Sequence, residues 1–117
     1  MLKILATATL IVLTLTGCLR GNRAHELAAL LKVAPQLLQA TPSGSQLPPE
    51  KWPSEVRSFD PDNVYATDDG LYIVTSSFFV NEKGLFIARS PTFAAEPGSD
   101  PEFRLIVTGL YSYEIKG

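Results

Sequence analysis

Cysteine is almost missing from this chain, and histidine with it: there is one of each in 117 residues. A lone cysteine closes no intrachain disulfide and builds no cysteine-rich metal cluster. An excess of positive charge is lacking too. Ten basic side chains stand against twelve acidic ones, a net charge of −2. A nucleic-acid binder would carry a basic footprint instead. No Gly-rich phosphate loop is present. Ser43-Gly44-Ser45 and Ser76-Ser77 lack the Gly-x-Ser-x-Gly context and a suitable base. What the chain does have is apolar residues, 45% of the total, which is too many for a disordered polymer. The length suits one small domain and not two.

Charge is absent altogether from Ile4 to Leu19, after a single basic residue at Lys3. The strongly apolar part, Ile4 to Leu15, has the length of a secretory h-region and falls short of the ~20 residues of a spanning helix. It ends in Leu15-Thr16-Gly17-Cys18. This ending resembles the lipobox of bacterial lipoproteins, an aliphatic residue, small residues, then cysteine. The resemblance covers residues 1–18. It implies cleavage after Gly17, a diacylglycerol group on the Cys18 thiol and acylation of the new amine. Two or more chains anchor a protein stably, at ~0.8 kcal/mol per buried CH₂. The resemblance also implies a place in the cell envelope. Leu19, where an Asp would retain an enteric lipoprotein in the inner membrane, points to the periplasmic leaflet of the outer membrane if the source is Gram-negative. An ordinary secretory signal or a short anchor with an incidental cysteine is the other reading.

Residues 1–17 are thus expected to be a leader, 18–23 a lipidated cysteine with a short tether, and 24–117 one domain. Loss of Lys3 leaves nine basic and twelve acidic side chains. Leu19 to Arg23 reaches at most roughly 17 Å, so the domain is expected close to the bilayer. Arg20 and Arg23 would face head groups or simply solvent.

A helix is expected over about 23–33, with Asn22 as N-cap and Glu26 in the first turn. Leu27, Leu30, Leu31, Ala34 and Leu38 mark one face. Pro35 is expected to kink or end it, or to open a restart that runs through Gln39. Residues 41–53 hold four prolines and read as an extended loop pinned by Leu47 and Trp52. One helical turn over 54–58 follows.

The second half alternates apolar runs with turn residues. Val64–Thr67 and Leu71–Thr75 flank Asp68-Asp69-Gly70, a hairpin signal. Phe78–Val80 and Leu85–Ala88 flank a four-residue loop, Asn81–Gly84, which would set Phe79 opposite Phe86. Leu71 to Val74 is apolar on both parities, as a strand covered on both faces would be. Residues 90–102 read as a long loop. Phe103, Leu105, Val107, Tyr111, Tyr113 and Ile115 share one parity, which reads as one long strand with a bend at Gly109. The fold class expected is α+β: a helical N-terminal segment on an antiparallel sheet of four to five strands.

Chemistry is sparse. His25 has no local metal-ligating partner and reads as a surface or packed residue. A calcium loop starting at Asp60 would need Gly at its sixth position and Glu at its twelfth, where Tyr65 and Leu71 stand. These aspartates suit turns instead. No metal, cofactor or catalytic residue is expected. The function expected is a non-enzymatic envelope module that binds another protein. The alternative is an inhibitor or immunity lipoprotein that blocks a periplasmic hydrolase with a protruding loop, for which Phe93 and Glu96 in 90–102 are the candidates. An enzyme would need Asp or Glu side chains converging in a pocket. Asp69-Gly-Leu-Tyr-Ile73 and the ending Gly109–Gly117 resemble small bacterial proteins with no assigned function, so no role is carried over.

Overall fold

The computed structural model describes residues 22–96 and 98–117. The expected leader, Gly17, Cys18, Arg20 and Pro97 lie outside the described residues. The architecture is α+β, a helix packed on a five-stranded antiparallel sheet.

Helix α1 spans Asn22–Ala40 without interruption, Pro35 included. The expected stop at Pro35 does not occur, Asn22 is the first helical residue rather than the cap, and no acidic residue falls in the first turn. The reason is burial on both sides of the proline. Leu30 and Ala34 are buried before it and Leu37 after it, with Leu38 half-buried. An interior proline costs about 3 kcal/mol. Burying Leu37 and much of Leu38 beyond it offsets about that much. Pro35 itself is exposed, so its ring meets no neighbouring element.

The segment after α1 folds back along the sheet. Leu47 N–H donates to Val64 O and Ala66 N–H to Ser45 O, which closes the outer edge of strand β1, Asn63–Ala66. Trp52 donates Nε1–H to Leu47 O at 2.8 Å, and both residues pack in the core, as the pinned loop requires. Within that loop Pro49–Lys51 forms one 3-10 turn, and the short helix α2, Ser54–Arg57, buries Val56.

The remaining strands are β2 (Gly70–Phe78), β3 (Asn81–Ala88), β4 (Glu102–Val107) and β5 (Leu110–Ile115), in the order β1-β2-β3-β5-β4. The β1–β2 hairpin forms as the Asp-Gly signal requires, closed by Thr67 N–H on Gly70 O. Glycine is needed at 70 for a different reason than turn geometry. A Cβ there would collide with the Ile87 carbonyl and the Phe86 ring on the adjacent strand.

Two sequence expectations fail in the sheet. The second hairpin turns at Phe79-Val80, and Asn81–Gly84 belongs to β3. Tyr72, not Phe79, faces Phe86. The run Phe103–Ile115 is a hairpin rather than one strand, turning through Thr108-Gly109 with Gly109 at φ +84°. A two-residue turn should switch the parity of the buried face. Here Val107 faces Leu110, but a bulge between Leu105 and Val107 inserts one residue, and Leu105 faces Tyr111. The bulge restores the parity that the turn reversed, so the alternation runs unbroken through a chain reversal.

The sheet has two unlike faces. Val64, Leu71, Ile73, Ile87 and Leu110 meet α1 and α2 in an aliphatic core. Tyr72, Phe86 and Tyr113 build the other face, with Tyr65, Phe93, Phe103 and Tyr111 around them. Tyr72 and its neighbours on β2 are therefore covered on both sides, as the double parity requires. Among the described residues no helix is long and apolar enough to cross a membrane.

Candidate functional site

The aromatic face is built by alternation. Tyr65 on β1, Tyr72 on β2, Glu82 and Phe86 on β3, Tyr111 and Tyr113 on β5, and Phe103 on β4 project to one side. Tyr65 stacks on Tyr72 at 4.9 Å and 9°, and Tyr113 meets Tyr72 edge-on at 4.9 Å. Phe86 lies 4.7 Å from Phe103. At one side of this face the Tyr65 and Tyr113 hydroxyls both donate to Glu82 Oε2, each at 2.7 Å. Burial first, then the hydrogen bond to Glu82, raises both phenols far above their ordinary range. Burial and the charge of Asp69 raise Tyr72 as well. The folded protein thus keeps phenol protons that the unfolded chain releases near pH 10.0. Stability is full below that pH and falls as pH rises above it. Urea midpoints are expected to hold up to about pH 9 and to drop between about pH 10 and about pH 12, and Tyr65→Phe with Tyr113→Phe should flatten that slope. A wild-type midpoint constant across the window would refute the assignment.

Phe93 takes part in this face. Its ring lies 5.0 Å from Phe86, 5.1 Å from Phe103 and 5.2 Å from Tyr111. It is half-buried and covers the sheet instead of protruding, so the exposed aromatic tip expected of it is not there. Glu96 is exposed and stands at the rim of an open cavity of about 470 Å³, with Asp68, Asp69 and Phe103. Asp68 accepts a hydrogen bond from Ser43. His25 is exposed near the start of α1.

On the helix side, a second cavity of about 410 Å³ opens where α1 leaves the sheet uncovered. Leu27 and Phe59 form one wall, Leu85 and Ile106 add apolar surface, and Lys83 and Arg104 add charge. Glu102 and Glu114 face each other across β4 and β5 on its far wall. Arg104 Nη2 lies 3.8 Å from Glu102 Oε2, an exposed pair worth little. These carboxylates and those of the first cavity are where a hydrolytic mechanism would begin. None of the five is buried. Among the described residues no group of three or more His, Cys, Asp or Glu is placed to hold a metal ion.

The cavity is bordered by β4, the last strand of the sheet. Its outer side has no strand partner among the described residues, whereas β1 is closed by residues 44–47. Leu105 is 64% exposed and Val107 41%. Sequence reasoning missed this edge, because reading residues 103–115 as one strand left β4 with no position of its own in the sheet. It also missed the Glu82 pair, since Tyr65, Glu82 and Tyr113 meet only through the strand order. The chain matches no family model, no curated protein and no solved structure.

Proposed function

We propose that the protein is a lipid-anchored envelope module that binds another protein by receiving an extended segment along β4. The open edge carries this reading. β4 offers unpaired backbone groups, two exposed aliphatic side chains, and an adjoining cavity with both signs of charge. An incoming strand would gain main-chain hydrogen bonds from the edge and selectivity from side chains seated in the cavity. Natural sheets blunt such edges with charge, proline or bulges. Here the bulge at Leu105–Val107 bends the strand, yet the apolar side chains stay outside. The lipobox resemblance at Leu15–Cys18 supports the anchor, and Cys18 stands four residues before α1. The inhibitor alternative loses its first candidate, because Phe93 is seated on the sheet.

The test places a photo-crosslinking residue at Leu105 in the full chain and a control at Glu50, exposed on the Pro49–Lys51 turn. A discrete crosslinked protein is expected from position 105 and not from 50. Arg104→Asp with Val107→Lys, made with the crosslinking residue kept at 105, should remove it while changing the melting temperature by less than about 4 °C, the shift of roughly 0.5–1 kcal/mol. A crosslink unchanged by those substitutions, or none above control, rules out the edge.

A further inference from the structure

The exposed apolar residues at the β2–β3 turn are absorbed by neither the core nor the β4 edge. Phe78 is 68% exposed, Phe79 91% and Val80 67%. The two rings pack against each other, at 4.4 Å and 63°. Taking ~150–250 Å² per aromatic side chain, the tip shows on the order of 300–400 Å² of contiguous apolar surface. The largest apolar patch on a typical monomer is of this size, roughly 300–600 Å², and is often functional.

The fold sets this tip at the same end as the start of α1. Leu27 lines the cavity with Thr75, Lys83 and Gly84, which lie toward the turn. At the other end the Arg89 guanidinium reaches Leu38 O. The rise of α1 from Leu27 to Leu38 is roughly 16 Å, and that of β3 from Lys83 to Arg89 is roughly 20 Å. Helix and strand therefore run side by side in one direction. Beyond Leu27 the helix extends back ~7.5 Å to Asn22. Beyond the pair Ser76 and Lys83 the hairpin extends ~10 Å to Phe79. Both ends reach about the same level.

We infer that Phe78, Phe79 and Val80 are a second membrane contact, inserted into the bilayer that holds the acyl chains of Cys18. The inference rests on the lipoprotein reading. The four residue-to-residue steps from Cys18 to Asn22 span at most ~14 Å, so an acylated Cys18 brings the tip to the head-group region. Charges around the tip are mixed: Lys83 and Lys116 stand with Asp62, Glu82 and Glu114. Insertion is therefore driven by apolar surface, and zwitterionic lipid suffices. With two points of contact the domain is held in one orientation instead of swinging on its tether. Leu105 and Val107, near the other end of the β4–β5 hairpin, are then presented away from the membrane.

The experiment uses the full chain, processed in cells fed labelled palmitate and reconstituted into zwitterionic vesicles whose lipids are brominated near the top of the acyl chain. Phe79→Trp adds a reporter at the tip, and the parent with Trp52 alone is the control. Emission from the introduced indole is expected to shift to the blue and fall about twofold, at the depth of a shallow insertion, with Trp52 unaffected and label on Cys18. High salt should not reverse it. Label on Cys18 with water-like, unquenched emission from the tip reporter overturns the membrane contact and leaves the anchor standing. No label removes the anchor; quenching of the tip reporter would still uphold the contact, and its absence would end both. A blue shift without quenching that grows with protein concentration, or on adding a secreted hydrolase, assigns the tip to a second copy or an enzyme cleft and overturns the membrane contact.

Discussion

Phe86→Ala is expected to destabilise the protein by about 3–5 kcal/mol, the range for emptying a buried aromatic site. Phe86 is fully buried at the centre of the aromatic face. Tyr72, Phe93 and Phe103 all lie within about 5 Å of its ring. None of these neighbours can close the void by a rotamer change alone, because Tyr72 and Phe103 are held on strands and Phe93 is held by its contacts with Phe103 and Tyr111. Domains of this size are stable by ~5–15 kcal/mol in all, so the variant would be marginal. Its melting temperature should fall by roughly 15–30 °C. Phe86→Leu keeps most of the volume and is expected to cost about 1–2 kcal/mol less than the alanine variant. Urea unfolding with the denaturant slope held constant measures both. A loss below about 1 kcal/mol for Phe86→Ala would mean that the ring cluster is surface decoration and the aliphatic core carries the fold.

Arg89→Met is expected to cost about 2–4 kcal/mol, on the scale of charged hydrogen bonds lost from a half-buried site. Its guanidinium donates Nη1–H to Leu38 O at 3.2 Å and Nη2–H to Thr41 O at 3.2 Å and Thr67 O at 3.3 Å. One side chain thus ties the last turn of α1, the segment after it and the β1–β2 turn. A hydrogen bond from a charged donor is worth about 1.5–3 kcal/mol, and a carbonyl left unpaired adds to the loss. The positive charge also suits the negative end of the helix. The bonds are not additive, and the buried, unpaired Arg89 Nε and Thr41 Oγ1 work against the total. Arg89→Lys should rescue little, because an ammonium cannot span three carbonyls as a planar fork does. Amide hydrogen exchange gives the specific readout: residues 37–40 and 67–70 should lose protection together. Loss confined to one of these segments would show that the clamp is not shared.

The elements that could be read before any coordinates were those whose signals are local. The apolar stripe of α1, the Asp-Gly hairpin, the pinning of Leu47 and Trp52, and the doubly covered strand at Leu71–Val74 each depend on neighbours within about ten residues of chain. The lipobox resemblance at Leu15–Cys18 is equally local, and it lies outside the described residues. Composition also limited the chemistry, since one histidine and one cysteine leave little to build with.

What the residues could not disclose arises where two local effects cancel or where distant segments meet. A bulge undid the parity change of the β4–β5 turn, so a reversal of direction left no mark in the pattern. Burial of Leu37 outweighed Pro35, a balance that depends on the sheet beneath the helix. Phe79 looks like a strand residue in the chain and is a turn residue at φ +57° in the fold. Its exposure follows from the register of two strands rather than from its own hydrophobicity. The β4 edge and the cavity beside it join residues from α1, β3, β4 and β5. Sequence order alone does not fix which strand ends a sheet, because strand order is set by the burial each arrangement achieves.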